Sequence, residues 1–340
     1  MNFRNFPASL RLAGPALAGL TLFLIWDQHY WWKLRDEYAF GFIVPLFVAY
    51  VLYERWPRIA GSLSGENKLG GDRFQHDRPL PGNLVQVMAL LMVLGGLCSF
   101  LLGVVYRAME GQNLITSNLL AFGYAILLLG AAYLYFDKRN SGEPIPFPER
   151  WHLALLFLFP ALIWMLSVPM FHALHKTIST FLMNKVAIVV YHVFDLLGYA
   201  VVREGSVLRL PLGDVGVEDA CSGIRSLTAC LFAGSFLGAV YFDRLWKKVF
   251  LVGTAMLFAF LNNILRSLFL TAWAYAKGPE GLDHHVTIAG LDLGNVHDFT
   301  GWVVLGLTVV CLLILVKLFS IRLEYELPTD LPHENTASDQ

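Results

Sequence analysis

Residues 84 to 106, LVQVMALLMVLGGLCSFLLGVVY, hold no charged side chain. A run this long and this apolar has one stable form in hydrocarbon. A helix pairs every backbone N–H and C=O inside its own segment, and about 20 residues at about 1.5 Å each cross the apolar core of a bilayer. Comparable runs recur near 10 to 26, 39 to 55, 116 to 136, 151 to 171, 220 to 242, 249 to 275 and 297 to 319. The chain is therefore expected to be an all-α polytopic membrane protein of about eight transmembrane helices, one integral membrane domain over residues 1 to 340. Its composition agrees, with 56% apolar and 15% charged residues, against about 45–50% and about 25% in soluble domains. The run at 10 to 26 follows Arg4 and Arg11, but DQHYWW comes next instead of a small-residue cleavage site, so it is read as a retained first span.

Lysine and arginine near span ends stay on the cytoplasmic side. If eight spans alternate, one side receives Arg4 and Arg11, the loop 56 to 83, the loop 137 to 150, the link with Arg244, Lys247 and Lys248, and the tail after Lys317. Both termini are then expected in the cytoplasm. The segment 172 to 219 falls on the outer side. Residues 172 to 197 have helical apolar spacing interrupted by His172, His175, Lys176, Lys185, His192 and Asp195, which suits a packed or interfacial helix. The stretch after it alternates apolar with polar around Glu204-Gly205 and Gly213-Asp214, the signature of a β-hairpin or short meander. A small extracytoplasmic β-hairpin/helix insertion is thus expected between spans five and six. The last three spans follow at 220 to 319, and 320 to 340 is a cytoplasmic tail, partly disordered.

A net charge of −1 gives no electrostatic footprint for nucleic acid. Cys98, Cys221, Cys230 and Cys311 show no CxxC and no Cys/His spacing of the zinc type. Neither a disulfide framework nor a metal is indicated, and no cofactor is expected. Three of these cysteines read as small apolar packing residues.

Cys221 differs by its neighbours, in VEDACSGIRS at 217 to 226. Cys221 opens the sixth span and His297 the eighth, both at the outer face. Arg266 sits nine residues before residue 275 in the seventh span, hence about 13 Å below its outer end. An ionisable group at that depth faces the bundle interior or a wet cavity and marks a site, or else pairs with a carboxylate such as Glu218, Asp219 or Asp298 to clamp helices. Asn262, four residues earlier, shares the Arg266 face. A thiol near its reference pKa of about 8.5 is mostly protonated, and a helix N-terminus, His297 or Arg225 would favour its thiolate. Cys221 is thus a candidate nucleophile, or a packing residue at a helix cap. Gly223 leaves room for a close approach, as Gly301 does beside His297. His284 and His285 lie in a Gly/Pro-containing loop and are expected to be solvated.

The last third of the chain resembles the exosortase/archaeosortase family of membrane-embedded cysteine transpeptidases. The resemblance is carried by VEDACSGIRSL at 217 to 227, by LNNILRSL at 261 to 268 with Asn262 or Asn263 preceding Arg266, and by HDFTGW at 297 to 302. EYAFGFIVPLFVAYVLYERW at 37 to 56, FPALIWMLSVP at 159 to 169 and REGSVLRLPLG at 203 to 213 extend it over most of the chain. Many bacterial members have Tyr-Ser-His-Gly where this chain has Tyr38, Ala39, Phe40 and Gly41, so no role of that histidine carries over.

The resemblance implies a sorting enzyme with Cys221, Arg266 and His297 as its catalytic set. Its partners would be the C-terminal tails of secreted proteins, each a short motif, an apolar span and a basic cluster, as in the PEP-CTERM arrangement. Cleavage on the outer side would be followed by transfer to an acceptor, a lipid or a cell-surface polymer. Ser222, Gly223, Glu218, Arg225, Asn262 and Asp298 would support or line the site. The rival readings are an intramembrane serine protease using Ser222 and His297, and a transporter, although no internal repeat or pair of broken spans is present.

Overall fold

The computed structural model describes residues 8–65, 82–216, 224–242, 244–288 and 291–324. Helix α1 (Ala8–Leu34) passes through a 3-10 segment (Asp36–Ile43) into α2 (Val44–Ser64). There follow α3 (Gly82–Glu110), α4 (Leu114–Tyr135), α5 (Phe147–Leu155), α6 (Leu158–Leu166) and α7 (His172–Leu196). Strands β1 (Val202–Glu204), β2 (Val207–Leu210) and β3 (Gly213–Gly216) precede α8 (Ile224–Tyr241) and α9 (Leu245–Lys277). A 3-10 turn (Pro279–Asp283) and strands β4 (His285–Ile288) and β5 (Leu291–Asn295) lead into α10 (Val296–Glu324).

Among the described residues, eight helical stretches are long and apolar enough to cross a membrane. Seven coincide with expected spans. The eighth is His172–Leu196 rather than the run near 10 to 26. That run does form a helix, but one that continues to Leu34, because the polar residues that close the apolar run find buried partners. Asp27 pairs with Arg107, Gln28 Nε2 donates to the Trp164 carbonyl at 3.1 Å, and Ser167 Oγ donates to Gln28 Oε1 at 2.7 Å.

Helix α7 meets the length and apolarity of a span, and its buried Met183, Val186, Ala187, Val190 and Phe194 form one cluster with Phe260, Ile264, Leu268 and Tyr275 of α9. Near its start, His175 Nε2 is 3.9 Å from Glu37 Oε1 of the 3-10 segment. That segment binds the first turn of α8, where Thr228 Oγ1 donates to the Glu37 carbonyl at 3.0 Å. At its other end Phe194 lies tilted against the Tyr275 ring near the C-terminus of α9, and Tyr199, just past that end, meets the same ring edge-on.

The run 151 to 171 is two helices, for a local reason. Pro160 has no N–H to give the carbonyl four residues back, and Arg55 Nη1 of α2 donates to that Leu156 carbonyl instead. Helices α3 and α4 meet through glycines. A Cβ on Gly123 would lie 2.6 Å from the Phe100 backbone nitrogen, and one on Gly96 2.6 Å from that of Leu127. Cys230 is buried in the core of the last spans, while Cys98 is exposed on the outside of α3.

One end of the bundle carries both sheets. Strands β1, β2 and β3 form an antiparallel meander in that order. Its turns fall at Gly205-Ser206, as expected, and at Pro211-Leu212, two residues before the second expected turn. Leu210 and Val215 of the meander pack on Ala274 of α9. The β4/β5 hairpin replaces what the sequence reads as a plain loop. At the opposite end, buried Glu149 accepts from Arg139 Nη2 at 2.7 Å and from Ser62 Oγ at 2.5 Å.

Candidate active site

The β5 strand runs straight into α10, so the hairpin fixes where that helix begins. Asn295 caps it, its Oδ1 accepting from the Asp298 N–H at 2.7 Å, and the Val296 N–H donates to the His284 carbonyl at 3.1 Å. His297 is thereby held in the first turn of α10. Gly301 follows one turn later, and the Arg266 guanidinium of α9 lies against it at ordinary contact distance. A Cβ on Gly301 would stand 3.5 Å from Arg266 Cζ.

From there the arginine reaches the histidine. Arg266 Nη2 is 3.3 Å from His297 Nδ1 and 3.2 Å from Nε2, and it donates to the His297 carbonyl at 2.9 Å. Asp298 Oδ1 is 3.3 Å from His297 Nδ1. A guanidinium only donates and a carboxylate only accepts. The bonding pattern that satisfies both puts the ring proton on Nδ1 facing Asp298 and leaves the Nε2 lone pair toward Arg266. Such a ring can take up a proton at Nε2 and later return it.

Arg266 makes no ion pair with a carboxylate among the described residues, and Asp298 pairs with His297, so the helix-clamp reading through Asp298 does not hold. Asn262 does not reach Arg266 either. Its Nδ2 donates to Thr308 Oγ1 at 2.5 Å, tying α9 to α10. Arg225 pairs with the exposed Asp36 at 2.9 Å. His284 and His285 are exposed, and the His285 hydrogen bond holds the Asp292 carboxyl below its usual range. Cys221, Ser222, Gly223, Glu218 and Asp219 lie outside the described residues.

Two further groups border Arg266. Asn263 Oδ1 and Ser267 Oγ, on residues 4% and 2% exposed, have no hydrogen-bond partner among the described residues, and neither has Arg266 Nε. Ser267 was not singled out from the sequence. The available signal is its spacing: it stands one turn after Asn263 on the same face of an apolar helix. A buried hydroxyl or amide without a partner costs about 1–3 kcal/mol, so this face of α9 suits a polar occupant.

Above the pair opens a cleft of about 420 Å³ lined by Asp214, Val215 and Gly216 of β3, by Pro279, Leu282 and Asp283, and by Asn295 and His297. Gly216 is the last described residue before the segment that holds Cys221, and Ile224, fully buried, is the first after it. The chain therefore enters that segment from the cleft and leaves it into α8, which packs on α9.

The model of the family described as transmembrane exosortase (Exosortase_EpsH) matches residues 31–314, most of the chain. No curated protein and no solved structure matches. The family match supports, in general terms, a membrane protein-sorting transpeptidase. Eight apolar helical stretches and a match of that extent leave one assignment: this multi-pass membrane protein belongs to the transmembrane exosortase family.

Proposed function

We propose that the protein cleaves the C-terminal sorting signal of secreted proteins on the outer side of the bacterial inner membrane and transfers the new C-terminus to an amine-bearing acceptor. The observation that carries this reading is the meeting of Arg266 and His297, two polar side chains on separate membrane helices, beside the cleft from which the Cys221 segment departs.

Cys221 attacks the scissile carbonyl as thiolate, and the carbonyl π pair moves to oxygen. Arg266, with Nε and its remaining N–H groups, stabilises that oxyanion or holds the substrate carbonyl. The C–N bond then breaks, His297 delivers a proton from Nε2 to the leaving amine, and a thioester to Cys221 remains. The acceptor amine attacks the thioester carbonyl, loses its proton to His297, and expels the Cys221 thiolate. Water in place of the amine gives plain hydrolysis.

The test is processing of tailed proteins in the cell of origin, followed as conversion of precursor to shortened product. Cys221→Ala is expected to abolish conversion while the enzyme still accumulates in the membrane, and Ser222→Ala to leave it standing. Loss in Ser222→Ala with full activity in Cys221→Ala would transfer the nucleophile to the serine. Full processing in both would remove the mechanism.

A further inference from the structure

The cleft beside His297 has a wall of a particular kind. Strand β3 is the last strand of its sheet, bonded to β2 on one side and, among the described residues, to no strand on the other. Two-residue turns set the bonding phase of the meander. Leu210 and Gly213 close the Pro211-Leu212 turn, so they form a pair that exchanges hydrogen bonds, and the pairing alternates from there. Leu208 and Val215 form the next such pair. Arg209/Asp214 and Val207/Gly216 are the non-bonded pairs. The N–H and C=O groups of Asp214 and Gly216 consequently point away from β2, and both residues line the cleft.

Unpaired groups repeating every second residue along an extended strand match the main chain of another extended strand. We infer that the free edge of β3 binds the substrate polypeptide by strand addition, holding the residues next to the scissile bond in line with His297. This inference rests on the sorting reading above and adds to it the mode of recognition. Main-chain bonds give register and affinity, while side-chain preference is left to the walls at Leu282 and Asp283. The cleft has a closed end and an open one. Pro279 packs against Gly213, where a Cβ would lie 2.9 Å from its Cγ, so an added strand runs from Asp214 toward Gly216 and His297.

Proline deletes a backbone donor. Gly216→Pro and Asp214→Pro each remove an N–H that faces the cleft and leave the bonds to β2 in place. Each is expected to slow conversion of the tailed precursor by about fivefold, the share of one backbone hydrogen bond. The control is Arg203→Pro. It makes the same lesion on the free edge of β1, where Arg203 and Leu208 are a non-bonded pair by the same alternation, and conversion is expected within about twofold of the parent chain. Conversion by Gly216→Pro and Asp214→Pro equal to that by Arg203→Pro overturns the inference. If the β3 variants do not accumulate, precursor carrying N-methyl groups at successive residues before the scissile bond tests the parent enzyme directly. Loss at alternate residues supports strand addition, and uniform tolerance or uniform loss overturns it. Failure of the sorting reading shows separately, as precursor converted equally well by Cys221→Ala.

Discussion

At the scale of single residues, the role proposed for Arg266 calls for a guanidinium and not merely a positive charge. Arg266 Nη2 meets both ring nitrogens and the carbonyl of His297, and the rest of its planar fork stays available for a substrate oxygen. A lysine brings a point charge on a flexible stem and cannot hold that geometry. Arg266→Lys is expected to lower the rate of precursor conversion by about a hundredfold or more, the usual effect of losing an oxyanion donor, with the protein still present in the membrane. Conversion near the parent rate would show that only the charge matters. That Arg266 and His297 come together was legible in part, since Arg266 is a cation stranded in an apolar run and His297 opens the next span at the same face. The partner of Asn262 was not. Spacing places Asn262 and Arg266 on one face, but a face as wide as an apolar stripe touches more than one neighbour, and Asn262 belongs to Thr308. Arg225 shows the same limit, since nothing local to 217–227 announces that Asp36 waits on a segment far away in sequence.

At the scale of elements, helix existence was easy to read and helix duty was not. The α3 and α4 spans follow from apolar length alone, but their closeness rests on Gly96 and Gly123, whose missing side chains let backbone meet backbone. Gly123→Ala must push α3 away, because its Cβ would meet the Phe100 backbone at 2.6 Å. A loss of about 1–3 kcal/mol is expected, read as a lower Tm in detergent. Gly95→Ala is the control, since a Cβ there meets nothing within 4 Å; it is expected to be neutral or slightly stabilising by helix propensity. Equal Tm for the two variants would refute close packing at Gly123. Sequence reasoning missed the β4/β5 hairpin because its register carries a shift between His285 and Thr287 and its strands are short, so no clean alternation shows. It stopped α1 at Asp27 for a sound local reason that tertiary pairing with Arg107 overrides.

At the scale of the whole molecule, the charges at the two ends of the bundle bear on which side of the membrane the site is proposed to face. The end opposite the sheets presents Lys138, Arg244 and Arg58 to solvent, and Lys247 lies over the ring of Trp246, an amphipathic pair suited to the membrane surface. The sheet end also carries cations, Lys33, Arg35 and Lys277 exposed among them, while Arg107 is half-buried against Asp27, and Arg225 and Arg209 are engaged with Asp36 and Glu204. We propose that the short basic connections lie in the cytoplasm, which would leave the sheets, the cleft and the Arg266–His297 pair outside, where secreted substrates are. Alkaline phosphatase, which is active only outside the cytoplasm, checks this directly. Inserted in the Gly205-Ser206 turn it is expected to be active, and fused after residue 324 it is expected to be inactive. The reverse pattern would place the cleft among cytoplasmic proteins, and strand addition at β3 would then have no secreted tail to bind.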